Sequence, residues 1–127
     1  NSSDKAIREF IAEHCRILAV VGLHGNVFKP HTGTKTSVLL VQKWDDVLCP
    51  KVDDYPIFFA TMQEPSKDNS GDKIYIKQDN GLPLLDTHGH LIVKHDLFNH
   101  DGLTQDGIAE AFIEFAKKEK LSFVGKL

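Results

Sequence analysis

The stretch Ile17-Leu18-Ala19-Val20-Val21, then His24-Gly25-Asn26-Val27-Phe28-Lys29-Pro30-His31-Thr32-Gly33-Thr34-Lys35-Thr36, then Ser37-Val38-Leu39-Leu40-Val41 decides how the chain is read. Its two apolar ends are short, rich in β-branched residues and Leu, and bounded by turn formers, as buried strands are. The connection between them runs about a dozen residues, where a hairpin usually takes about 2–5. A crossing of that length that carries Phe, Lys, His and Thr reads as a working loop rather than a bare turn. The simplest pairing of the two strands is an antiparallel return.

Upstream, Ile7, Phe10 and Ile11 recur at helical spacing behind Ser3 or Asp4 as cap, with Glu9 and Glu13 on the wet face. The spacing predicts a helix that ends near Cys15 and hands over to a strand over residues 16–22, the rhythm of an α/β sheet. Downstream, residues 44–56 form a polar surface connection with two prolines and Cys49, and residues 57–62 form a third apolar strand. Residues 63–72 are turn-rich, residues 73–77 alternate like a half-exposed strand, and Asp79-Asn80-Gly81 signals a tight turn. Residues 82–86 and 90–93 read as short strands or extended segments. From Thr104 as cap, a second helix runs to about Lys118, with Ile108, Ala111, Phe112, Phe115 and Ala116 as its apolar stripe. Lys117, Lys118 and Lys120 gather at the end where the helix dipole favours cations.

A chain of 127 residues suits one domain with a modest core, and 41% hydrophobic content excludes a largely disordered chain. No apolar run approaches the roughly 20 residues of a membrane span. The opening Asn1-Ser2-Ser3-Asp4 lacks the marks of a signal peptide, so the expectation is a cytoplasmic protein. Cys15 and Cys49 lack CxxC spacing and read as reduced thiols. Net charge is −3, but four basic residues and no acidic one lie between His14 and Trp44, against 11 basic and 18 acidic elsewhere. The loop and its strands are thus a positive island on an acidic body, where an anionic partner is drawn. The chain opens without Met at a helix cap and reads as a piece cut from a longer protein.

Two constellations could carry chemistry. The first is histidine-rich: Asp86-Thr87-His88-Gly89-His90, then His95-Asp96 and His100-Asp101. Imidazole and carboxylate together suit zinc, manganese or iron, so a metal-dependent hydrolase using His88, His90, His95, Asp96 and His100 is one reading. Against it, these residues lie in a Gly-containing polar region without firm elements to fix them. No activated thiol, G-x-S-x-G or P-loop is present. The second constellation is the loop itself. Phe28 either plugs the sheet edge or offers its ring to a planar ligand, and a base stacked on such a ring gains about 1–3 kcal/mol. A non-catalytic interaction module is a third reading.

Residues 3–43 look like the late part of the catalytic domain of adenine-specific DNA methyltransferases, above all the modification subunits of type I restriction-modification systems. The residues that carry the resemblance are Arg8-Glu9-Phe10-Ile11, the strand over residues 17–23, and the F-x-P-x-T-G-x-K-T-S pattern from Phe28 to Ser37 between two apolar strands. Residues 57–60 add to it, and residues 78–127 match more weakly. The resemblance implies a partial Rossmann-like fold in which the two strands are the terminal antiparallel pair. Residues 1–62 would then end the methyltransferase sheet, residues 63–103 form a loop and short-strand extension, and residues 104–120 a C-terminal helix, all in a single domain fragment.

The resemblance also implies that the loop holds a flipped adenine, with Phe28 stacking. By residue type, Lys29 and Lys35 steer phosphate, and Thr32, Thr34 and Thr36 hydrogen-bond backbone or DNA. The intact enzyme would transfer methyl from S-adenosylmethionine to the adenine amino group, with DNA and the specificity and restriction subunits as partners. The family's Gly-containing cofactor loop and its Asn/Asp-Pro-Pro-aromatic motif are missing from this sequence. No catalytic residue is therefore expected here, no bound cofactor or metal, and no activity of this piece alone. A cut sheet leaves an unpaired edge, through which self-association is expected.

Overall fold

The computed structural model describes residues 2–105 and 107–123, with side chains from residue 5 onward. Among these residues the protein is α/β, with two helices and a three-stranded mixed sheet. Helix α1 spans Ser2–His14 and passes directly into β1, Cys15–Gly22. Strand β2 spans Ser37–Lys43, β3 spans Phe58–Thr61 and α2 spans Ile108–Lys118. The sheet order is β2-β1-β3, so β1 is central. The N–H of Leu23 donates to Thr36 and that of Trp44 to His14, pairing the start of β1 with the end of β2. That is the antiparallel return which the sequence predicts. The Met62 N–H donates to Gly22, so β3 ends beside the end of β1.

The capping role expected of Ser3 or Asp4 concerns side chains outside the described residues. The second helix begins later than expected. Thr104 is not its cap; instead the Glu110 carboxylate reaches back to the Gly107 N–H at 3.1 Å, the carboxylate half of a capping box. The carbonyls of Asp96 and Leu97 take the N–H groups of Ile108 and Ala109, two donors that a helix start otherwise leaves orphaned. Of the expected stripe, Ala111 is exposed, and Ala116 is fully buried.

The chain packs as two compact units, one of Asn1–Val21, Val38–Ala60 and Phe112–Leu127, the other of Gly22–Ser37 and Thr61–Ala111. The first unit's core is Leu18, Ala116 and Leu121, with Phe112 and Phe123 packed against it. Phe58 sets its ring on Phe112 and Phe115 at 5.5 and 5.6 Å, within the favourable range for tilted and edge-on pairs. Trp44 stands edge-on to Tyr55 at 5.8 Å, and its indole N–H lies 3.5 Å from the Ala12 carbonyl. Both cysteines are free thiols; burial pushes Cys49 up, away from thiolate character.

One expectation fails here. Both apolar ends of the quoted stretch read as buried strands, yet only β1 is covered. Leu18 is 6% exposed, whereas Val38, Leu39, Leu40 and Val41 are each 40–43% exposed. An edge strand has a neighbour on one side alone, and β2 is the outer strand of the sheet. The α1 stripe is likewise open, with Ile7 and Phe10 exposed.

The second unit has little regular structure. Its residues 66–93 are joined by isolated bridges, Lys67 with Lys73, Tyr75 with Val93, Lys77 with Pro83 and Leu85 with Leu91. The predicted alternation over residues 73–77 holds in the burial pattern, with Ile74 and Ile76 turned inward. A continuous strand does not form there. Positive-φ glycines at 81 and 89 turn the chain at its two tight reversals, a conformation that costs glycine least.

Candidate functional site

The loop from His24 to Thr36 is built by the second unit alone. Leu23 and Thr36 close its neck with a 2.8 Å hydrogen bond. Gly25 is buried there, and a Cβ on it would stand 3.0 Å from the Gly33 carbonyl oxygen, so the two sides of the neck approach closely. The Asn26 N–H donates to Nδ1 of His24 at 3.1 Å. Successive tight turns follow: Val27 donates to His24, Lys29 to Asn26, and both His31 and Thr32 to Phe28. The Lys29–Pro30 peptide is cis.

A second segment clamps the loop. The Asn26 amide donates to the Lys67 carbonyl at 2.9 Å, and Lys67 Nζ donates to the Lys29 carbonyl at 2.9 Å. Gly71, at φ +92°, lies against Pro30 so tightly that a Cβ would fall 2.7 Å from the proline nitrogen. Asp68 holds that segment in shape by accepting the N–H groups of Ser70 and Asp72. The loop is therefore held by two-way hydrogen bonding to residues about 40 positions away.

Phe28 is 45% exposed, so it is not part of the buried core. Lys29 is half-buried and its side chain lies back over Gly33, where a Cβ would meet Cε at 3.4 Å and Nζ at 3.6 Å. Thr32 and Lys35 are exposed. The Thr32 hydroxyl pairs with that of Thr34 at 3.0 Å and accepts the Thr34 N–H at 3.2 Å. The Thr36 hydroxyl is buried without a partner among the described residues. Lys67 escaped the sequence reading because nothing local marks it. The same clamp brings Asp68 and Asp72 with it, so the positive island has an acidic neighbour.

The histidines do not converge as a metal site. Among the described residues no group of three or more His, Cys, Asp or Glu is arranged to hold a metal ion. Asp86 uses Oδ1 to accept the N–H groups of His88 and His90, which shapes the hairpin tip. Asp96 uses Oδ2 to accept the Gln63 N–H. His95 accepts the Leu97 N–H at Nδ1, and its ring packs at a tilt against those of Phe98 and His100. Burial first, and His100 second, push the His95 imidazole toward its neutral form, with Asp96 opposing.

No protein-family profile matches the chain, and no match is found among curated proteins or solved structures. Among the described residues no helix is long and apolar enough to cross a membrane. Nor do these residues fit S-adenosylmethionine as an α/β sheet usually holds a nucleotide cofactor, on a Gly-rich turn from a strand into a helix N-terminus. Strand β1 leads into the loop and on to β2, and β3 leads into residues 62–107, so neither opens a helix directly.

Proposed function

We propose that this chain is part of a DNA adenine methyltransferase of the type I restriction-modification class and supplies its target-base loop. The single observation that carries the reading is Phe28: a half-exposed aromatic side chain on a loop held rigid by Asn26, Lys67 and Gly71. Enzymes that modify a base within duplex DNA must extrude it, and a ring fixed in advance receives it without an ordering cost at that moment. In this reading Phe28 stacks on the adenine, while Lys35 and the partly withdrawn Lys29 offer charge to phosphate. Thr32 and Thr34 brace each other at the loop's far side. The terminal strand pair of a Rossmann-like sheet corresponds to β1 and β2. Methyl transfer itself, from S-adenosylmethionine, belongs to residues outside this sequence, and no step of it is assigned to these.

The open faces of β2 enter the same proposal. A strand with apolar residues on both faces and a free edge pairs with something, and in isolation the chain pairs with itself. The test of the main reading joins the chain to the N-terminal half of a methyltransferase catalytic domain and measures methylation of duplex DNA. Phe28→Ala is expected to weaken transition-state binding by about 1–3 kcal/mol, the value of one stacked base. Parent-like activity of that variant removes the stacking role.

A further inference from the structure

Residues 73–77 of the second unit form an exposed strip that the loop reading leaves unused. Lys73, Tyr75 and Lys77 face solvent, while Ile74 and Ile76 between them are half-buried. That period of two belongs to an extended chain, whose successive side chains point to opposite faces. Backbone hydrogen bonds hold the segment along its length. The Ile76 N–H donates to Ile92 at 2.9 Å and the Lys94 N–H to Ile74 at 2.7 Å. On the hairpin side, Leu84 donates to Ile76 at 3.0 Å and Gln78 to Leu82 at 2.7 Å. Ile92 is 2% exposed, so one of these partners is in the interior of the unit.

Tyr75 thus stands on a held backbone with 39% of its surface exposed. Its cross-strand neighbour is Val93, and Pro83 lies opposite Lys77, so neither brings a charge. Lys67 lies opposite Lys73, a pairing of like charges that a sheet disfavours. Lys67 turns its ammonium to the Lys29 carbonyl, and Lys73 is left facing solvent. Among the described residues neither Lys73 nor Lys77 lies in an ion pair. The nearest acidic residues along the chain, Asp72 and Asp79, stand just beyond either end. The strip is therefore an exposed ring between two uncompensated cations.

From this strip we infer that the second unit binds single-stranded nucleic acid, one base stacked on Tyr75 and the phosphates on either side of it held by Lys73 and Lys77. An extended chain rises about 3.3 Å per residue, so the two lysines are rooted about 13 Å apart with the ring midway. Their long side chains lean in from both sides of one nucleotide. Cations that track the backbone, with an aromatic face for a base, are how sequence-tolerant single-strand binders work. A duplex keeps its base faces stacked on one another, so only an unpaired strand offers one to the ring. An acidic peptide meets the lysines but has no flat face for Tyr75. Asp72 and Asp79 repel phosphate beyond either end, which limits the electrostatic contact to two phosphates. This inference stands on residues 73–94 and does not depend on the loop's role.

Fluorescence anisotropy of an end-labelled oligothymidylate of about eight nucleotides, titrated with the 127-residue chain, tests it. Saturable binding is expected at about 50 mM salt, with log K falling against log salt at a slope of about −1.4, the value for two phosphates of a single strand. Lys73→Gln and Lys77→Gln should each bring the slope to about −0.7, whereas Lys118→Gln, in the other unit, should leave it as it was. Tyr75→Leu keeps an apolar cover and removes the flat face. It should weaken binding about tenfold, the loss of one stacked base, with the slope unchanged. An oligouridylate should bind alongside the oligothymidylate, since nothing in the strip reads the 2′-hydroxyl. The matching duplex should bind more weakly and be indifferent to Tyr75→Leu. No saturable binding, a slope untouched by both lysine variants, or parent-like affinity in Tyr75→Leu overturns the assignment. So does displacement by polyglutamate as effective as by unlabelled oligothymidylate. Loss of binding in Phe28→Ala with retention in Tyr75→Leu assigns the strand to the loop and overturns it too.

Discussion

Strands β1 and β2 are alike in composition and unlike in circumstance. Ile17-Leu18-Ala19-Val20-Val21 and Val38-Leu39-Leu40-Val41 have the same β-branched and Leu character, yet Leu18 and Ala19 are buried while all four β2 residues are two-fifths exposed. The difference lies in what each strand touches. β1 has a strand on either side and Leu18 packed with Ala116 and Leu121; β2 has one neighbour and no residue in that core. Hydrophobic pattern therefore tells where a strand forms, and long-range packing alone tells whether it is a core strand or a surface awaiting one.

The sharpest way to break this contrast is to truncate both strands. Leu18→Ala should cost about 2–5 kcal/mol, the price of a core cavity, whereas Leu40→Ala should cost under about 1 kcal/mol. Urea unfolding of the two variants decides it; equal losses would show that β2 is covered in solution. Next in size is Gly71→Ala, which adds a Cβ against Pro30 at a positive φ. It should lower stability by about 1–3 kcal/mol, while Gly81→Ala, with open space around it, loses only the conformational part, about 1 kcal/mol. Similar thermal shifts for both would remove the clamp.

A gentler contrast concerns association. The parent chain should sediment with rising mass as concentration rises, and the double variant Leu39→Lys, Val41→Lys should remain a monomer without loss of thermal stability. A parent that stays monomeric at high concentration contradicts the open edge. The smallest effect is in pH. Because the folded His95 pKa is depressed, the unfolded chain takes up its proton first, so stability is full above the ordinary histidine range near 6.5 and falls as pH drops below it. His95→Phe should flatten that acid slope while the thermal midpoint at pH 8 changes little; an unaltered slope assigns it to other groups.

Much of the first unit was legible because its signals are local. The stripe of Ile7, Phe10 and Ile11 gives α1, and the apolar runs give β1, β2 and most of β3, which omits Ile57 and Met62. The start of α2 was missed because Thr104 looks like a cap, while the Glu110 three residues after Gly107 was the better signal. In the second unit the determinants are distant. Nothing near Asn26 foretells Lys67, and nothing near Gly71 foretells Pro30. The histidines stood out in sequence, but ring stacking and backbone turns place them, and neither has a spacing rule. The loop itself was recognisable by length, its clamp only by folding.

Trp44 is the chain's single tryptophan, and it sits in the first unit against Tyr55, whereas six of the seven histidines belong to the second. Indole emission and imidazole resonances thus report separately on the sheet and on the loop-bearing unit. One sample under one denaturant gradient can reveal whether the two melt together or in turn, with no label attached.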